Sequence, residues 1–269
     1  MTVIAVLADP PREGLVLPEL PATSPLSAAE ATDLYAAMLT DVLVAVERSG
    51  GDLLVNYRSE ESLPAAFSRT GDGDGEGADA DDSDVDAPPT AEAEVRAIAA
   101  EALSDVDEAR FEVQVGSTPS ARAGNTITHL LREEEVRTAA AVWPTAAFLT
   151  RSVIDSAAMK LRSAATVLGP SIGGRTYYAG FAEPIDFEAA FATDPLETLT
   201  DRTLEAGDDV DFLPLQPTIQ RGEDLLTAVP LLRARRAADR IVPPHTTALV
   251  EELGLRVESV DGERTLVRD

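Results

Sequence analysis

"TVLGPSIGGRTYYAGF", residues 166–181, joins an apolar run ending in Gly169-Pro170 to a Gly173-Gly174 pair and then to two tyrosines in a strand-like pattern. Glycine reaches backbone conformations closed to other residues and proline removes a ladder donor, so a regular strand must break here. Two readings stand. The stretch is a turn that closes a sheet, with Tyr177 and Tyr178 alternating between core and surface; or it is the floor of a site where backbone lies against a ligand, with Arg175 supplying charge and one tyrosine stacking or hydrogen-bonding.

Outward from this stretch, short runs rich in β-branched and aliphatic residues recur. "TVIAVL" (2–7), "DLLVNY" (52–57), "RFEVQV" (110–115), "TAAAVW" (138–143) and "ATVLG" (165–169) read as buried strands. Helical segments lie between them. Residues 27–51 open with Ser27, carry Glu30 in capping-box position and end at Gly50-Gly51. Tyr35, Met38, Leu39, Val42 and Val46 then share one apolar face, with Asp41 at its edge. Further helices are predicted at 90–104, 121–135, 146–162, 186–205, 221–239 and 244–253. Strand and helix in alternation predict an α/β, Rossmann-like fold, with a mostly parallel central sheet covered by helices on both faces. The tail alternates around Asp261-Gly262, a hairpin signal, so 254–269 is expected to add a C-terminal β-hairpin to a single domain spanning 1–269.

"GDGDGEGADADDSDVDAPP" (71–89) has almost nothing to bury and is expected to be an acidic, disordered insertion. Its alternating Asp72, Asp74 and Glu76 lack the later Glu and the flanking helices of a calcium loop.

The charge narrows the partners. There are 22 basic residues against 48 acidic ones, a formal net charge of -26, and Lys160 is the sole lysine. At ~1 M salt the Debye length falls to ~3 Å and such a surface is screened, so the composition reads as halophilic adaptation; the other reading is an acidic face for a basic partner. The charge argues against nucleic acid as a partner, since counterion release needs clustered Lys and Arg and the densest basic run, Arg233 to Arg236, is a single helical stripe. Absence of cysteine excludes thiolate chemistry and disulfides. No apolar run reaches the ~18 residues of a membrane span and no basic leader precedes one, so the chain is expected to be cytoplasmic, away from membranes, with its oligomeric state open. His129 and His245 are too scattered for a triad or a histidine metal cluster.

Ligands of an open α/β sheet bind beyond the carboxyl ends of its strands. The loop after the first strand offers Asp9, Arg12 and Gly14, the loop after the third offers Gly116, Ser117 and, in the helix it feeds, Arg122, and the loop after the fifth is the opening stretch, with Gly173, Gly174, Arg175 and Tyr177. The small residues leading into the helix at 121 suit an anion seat, although capping explains Ser117, Thr118 and Asn125 equally.

In order, "TVIAVLADPPREG", the helix "AAEATDLYAAMLTDVLVAV", the "VQVGS…R" segment, the Trp143-Pro144-Thr145 strand end and "TVLGPSIGGRTYYAGF" resemble the radical-SAM/selenodomain-associated glycosyltransferase-like family, a branch of the nucleotide-diphospho-sugar transferases. The resemblance spans residues 1–230 by order of elements and implies a GT-A fold that holds a nucleotide or nucleotide sugar, with a divalent cation such as manganese or magnesium between carboxylates and diphosphate. The departures fall on that chemistry. Where the family carries G-x-x-K-T-R-L, this chain has "PREGLVLPEL", leaving Arg12 and Gly14 as phosphate contacts. Val142 stands at the metal-holding Asp of the fourth strand, Ile172 stands where an Asp precedes Gly-Gly, and Glu223 and Asp224 are displaced from the late Asp-x-Asp. The resemblance therefore implies a glycosyltransferase-like protein whose metal ligands, and with them the metal cofactor, are lost, kept as an altered binding module. The alternative is an active, metal-independent nucleotidyl- or glycosyltransferase using Arg12, Arg122 and Arg175 for phosphates.

Overall fold

The computed structural model describes residues 2–69, 88–260 and 262–268; the acidic segment expected at 71–89 lies outside them, apart from Pro88 and Pro89. In chain order the elements are β1 (Thr2–Ala8), α1 (Leu20–Thr23), α2 (Ala28–Glu47), β2 (Asp52–Tyr57), α3 (Ala91–Ala102), β3 (Arg110–Val113), α4 (Pro119–Arg132), β4 (Thr138–Val142), α5 (Arg151–Lys160), β5 (Thr166–Pro170), β6 (Thr176–Phe181), α6 (Pro195–Glu205), β7 (Val210–Phe212), α7 (Gly222–Ala237), α8 (Pro244–Glu252), β8 (Leu255–Val260) and β9 (Glu263–Arg268).

β1 to β7 form one seven-stranded sheet in the order β3-β2-β1-β4-β6-β5-β7. Every pairing is parallel except those of β6, which runs antiparallel to both β4 and β5. β1 explains why the sheet must be covered twice. All seven of its residues are buried. Ile4, Val6 and Ala8 join the core made with α2, α3, α5, α7 and α8, while Val3, Ala5 and Leu7 join the core made with α4 and α6. A strand whose two faces are both apolar has no solvated side, and helices on both sides remove that surface from water.

The long helix α2 starts as its sequence requires. Ser27 Oγ accepts the Glu30 amide at 3.2 Å and Glu30 returns the bond to the Ser27 amide at 2.8 Å, satisfying two end donors at once. Residues 186–194, expected to be helical, instead form turns that end in Asp194 before Pro195, and α6 begins only there. A proline at the first helical position is tolerated because its missing donor has no helical partner anyway. β8 and β9 make the C-terminal antiparallel hairpin, anchored by Leu255 and Leu266 in the larger core. Among the described residues, no helix is long and apolar enough to cross a membrane.

The opening stretch is thus the turn between antiparallel strands β5 and β6. Its register shifts at Gly169/Pro170, and Ile172–Gly174 forms a single 3-10 turn in which Gly173 and Gly174 both have φ of 72°. Gly169 has a different role: a Cβ there would lie 2.6 Å from the Tyr177 ring, so the glycine is what lets that ring pack flat on the neighbouring strand. The expected alternation of the tyrosines between core and surface does not occur. Tyr177 and Tyr178 are both buried because both faces of β6 are covered.

Candidate functional site

The carboxyl end of β4 opens onto a cleft of about 660 Å³. Its walls come from the segment after β4 (Trp143, Thr145), the β5–β6 turn (Ile172, Gly173, Arg175, Thr176), the loop before α6 (Phe191 to Thr193) and the start of α7 (Gln220 to Asp224), with Pro119 of α4 at one side. Trp143, the only tryptophan, packs its ring against Phe191 with centroids 4.9 Å apart at 55°. An aromatic surface of this kind offers a face to a planar or ring-shaped ligand.

Arg175 and Asp224 form the charged wall. Arg175 donates through Nη1 to Asp224 Oδ2 at 2.9 Å and through Nη2 to Oδ1, while Nε bonds the Ile172 carbonyl at 3.0 Å. The carboxylate also accepts the backbone amides of Gln220 and Arg221. Arg175 is therefore committed to holding the start of α7 against the β5–β6 turn and is not an open cation for phosphate. Tyr177, the tyrosine expected to meet ligand, donates its hydroxyl to the Pro214 carbonyl at 2.9 Å. Burial raises its phenol well above the ordinary range.

Arg12 is committed more completely. It is 6% exposed and donates to Glu94 at 2.8 Å, to Glu60 at 3.0 and 2.5 Å, and to the Phe67 carbonyl. These bonds tie the β1–α1 loop to the 60s turn and to α3. Gly14, two residues on, takes a φ of 77° beside the Phe67 ring and shapes the same loop. Every donor direction of Arg12 already meets an acceptor, so its guanidinium, expected to contact phosphate, is not a free cation here.

A different group of charges remains at the ends of β1 and β2. Asp9 follows β1, and its carboxyl is raised by burial, with Arg58 and then Arg122 opposing the rise. Arg58 reaches Asp9 at 3.3 Å and bonds the Ser62 carbonyl at 2.6 Å, while its Nε is buried without a partner. Arg122, in the first turns of α4, makes no side-chain hydrogen bond and no ion pair among the described residues. Burial and the neighbouring Arg58 both lower its pKa, and only Asp9 offsets them. The largely covered Arg58 and the partly covered Arg122 facing a single carboxylate leave a local positive excess, the reverse of the chain as a whole. Gly116 packs against Ala121 and the Arg122 amide, Ser117 is exposed, and Thr118 accepts the Ala121 amide at 3.1 Å as the helix cap.

A polar frame that no sequence motif announces holds these ends together. Gln114, 4% exposed, donates from Nε2 to the Ala8 and Asn56 carbonyls, and Thr126 donates to Asn56 Oδ1 at 2.9 Å. The Tyr35 hydroxyl accepts the Asp9 amide at 2.7 Å and donates to the Asp9 carbonyl, fixing the exit from β1. Alternating polar residues at strand ends would have been the only local hint.

Among the described residues, the carboxylates that line the cleft are Glu223 and Asp224. Val142 is wholly buried inside β4 and Ile172 sits at the cleft lip, so neither position offers oxygen. Asp224 is saturated by Arg175 and two amides, which leaves Glu223 as the free carboxylate on that wall. Hard cations require several oxygen ligands. No cluster of three His, Asp or Glu suited to a metal occurs among the described residues.

No protein-family model and no curated protein matches the chain. Among solved structures, that of a protein assigned as a nucleotide-diphospho-sugar transferase from Desulfovibrio desulfuricans G20 covers 93% of this chain and 94% of its own, with a TM-score of 0.67 at 17% identity. That likeness establishes the fold. CMP:2-keto-3-deoxy-manno-octonic acid synthetase complexed with CTP covers 88% of this chain and 99% of its own at 10% identity and TM-score 0.45. A cytidylyltransferase from Leptospira borgpetersenii serovar Hardjo-bovis covers 93% of both chains at 8% identity and TM-score 0.44. Likeness at this lower level adds nothing to the fold argument.

Proposed function

We propose that this chain is a nucleotide-diphospho-sugar-transferase-like binding module that holds a nucleotide or nucleotide sugar at the carboxyl ends of β1 and β4 without a metal ion. The observation that carries the reading is Arg122: a partly buried guanidinium with no hydrogen-bonding partner among the described residues, beside Arg58 and at the end of the sheet where ligands of open α/β folds sit. A partly covered cation that shares one carboxylate, Asp9, with a second arginine is complementary to an anion that arrives from outside. Arg122 and Arg58 would meet the phosphates, and Trp143 with Phe191 would face the ring-bearing part of the ligand in the adjoining cleft. The fold shared with the Desulfovibrio protein supports the same class of ligand. Substitution of the family's metal-holding acids by Val142 and Ile172 supports binding in place of metal-dependent transfer.

Trp143 reports on the cleft, so the test is its fluorescence during titration with UDP, CDP, GDP and their sugar conjugates, in chelator and again in manganese. Binding is expected to be equal in both. Arg122→Ala removes a charge-assisted contact of about 1.5–3 kcal/mol, weakening the bound nucleotide by roughly one to two decades. Saturation by none of these ligands at millimolar concentration, or unchanged affinity in Arg122→Ala, overturns the reading; affinity that appears only with manganese overturns its metal-free part.

A further inference from the structure

A second cavity, of about 330 Å³, lies between the C-terminal half of α2, the β4–α5 loop and the segment joining α7 to α8, and shares no lining residue with the cleft. Its size falls at the lower end of the ~300–1,000 Å³ typical of small-ligand sites. The floor is apolar, built on buried Phe148 and Leu149 with Val44 and Val242. The rim is cationic: Arg48, Arg151 and Arg235 all line it. In a chain with 22 basic and 48 acidic residues, three arginines around one apolar cavity reverse the prevailing charge.

The arginines are not there to neutralise a lining acid. Asp41 is the one carboxylate in the wall, and it caps α8, accepting the His245 amide at 3.0 Å and the Thr246 amide at 2.8 Å. Arg48 makes no side-chain hydrogen bond or ion pair among the described residues. Arg235 lies over the Phe148 ring at 5.5 Å, which keeps its planar donors at the edge of the apolar floor. Arg151 is held on its outer side by Asp155 at 3.2 Å. At the mouth Ile241 is 76% exposed, an apolar side chain that a bound ligand would cover.

We propose that this cavity is a binding site for a small amphipathic monoanion, an alkyl or aryl carboxylate whose hydrocarbon body rests on Phe148 and Val242 and whose charge is met by the arginine rim. Neither half of the site suffices alone. The floor would take any apolar molecule, and the rim any anion, so the signature is preference for a molecule that is both. The proposal is independent of what the cleft binds.

Octanoate, 1-octanol and acetate are the probes, titrated by calorimetry with amide chemical shifts recorded in parallel. Octanoate is expected to saturate with Kd below about 1 mM, and octanol and acetate to bind at least about tenfold more weakly. Shifts should map to Phe148, Leu149 and Val242. Arg48→Gln, at an exposed side chain outside the core, should weaken octanoate about three- to tenfold and leave octanol unchanged, with Arg48→Gln/Arg235→Gln weaker still. Octanol or acetate binding as tightly as octanoate, octanoate shifts that map elsewhere, or a double variant with unaltered octanoate affinity each overturns the proposal.

Discussion

Arg175 and Asp224 face each other as a two-pronged ion pair in the cleft wall, with Nη1 to Oδ2 at 2.9 Å, and Asp224 is almost fully covered. Forty-nine residues of chain separate the two, so the pair fastens the β5–β6 turn to the first turn of α7. Arg175→Ala leaves a buried carboxylate without its cation. Loss of one partner of a buried pair costs ~3–5 kcal/mol, and the two backbone amides that stay on Asp224 place this case at the low end, about 3 kcal/mol. A denaturant midpoint displaced by less than a third of that amount would show that the pair is not what holds α7.

Arg122 should behave in the opposite way. Burial and Arg58 both disfavour its charge, and no hydrogen bond compensates, so Arg122→Leu is expected to leave the melting temperature unchanged or higher while nucleotide binding weakens. A fall of more than about 4 °C, equivalent to roughly 1 kcal/mol or more in a chain of this size, would mark Arg122 as structural.

The Arg12 cluster sets an acid limit. The Arg12 guanidinium holds the Glu60 carboxyl at about 2 in the folded chain, against an ordinary value of 4.5. A depressed folded value contributes stability above the unfolded pKa, and that contribution is lost as pH falls through the window from 4.5 to about 2. Glu60→Gln should be less stable than the parent at pH 7 and should lose less stability across that window. Parallel acid-unfolding curves for the two proteins would show that Glu60 does not carry the linkage.

Net charge predicts the response to salt. A formal charge of -26 repels itself in dilute buffer and is screened at ~1 M salt, where the Debye length is ~3 Å. Melting temperature is expected to rise steadily from dilute buffer to molar salt, with potassium chloride and sodium chloride acting alike. Unchanged melting across that range would remove the halophilic reading of the composition.

The order of strands and helices was legible because periodicity is a local property. β1, with apolar side chains on both faces, announces a strand covered twice, and the Ser27/Glu30 box announces where α2 begins. Asp261-Gly262 marked the turn of the C-terminal hairpin for the same reason. Direction is not local. "TYYAG" reads as a strand whichever way it runs, and only its insertion between β4 and β5 makes β6 antiparallel and buries both tyrosines.

The charges divide in the same way. By itself the sequence determined the chain's acidity, its near-exclusive use of arginine and the glycines of the β5–β6 turn, because composition and backbone freedom belong to residues one at a time. With 48 acids present, no reading of neighbours could say which arginines find one. Arg12 meets Glu60 and Glu94 at separations of 48 and 82 residues, and Arg175 meets Asp224 across 49, whereas Arg122 closes no ion pair among the described residues and only shares the field of Asp9 with Arg58. Tertiary structure alone decided that allocation, since an ion pair forms where chain closure brings two charges within about 4 Å, and that distance is fixed by the packing of the whole sheet and its helices.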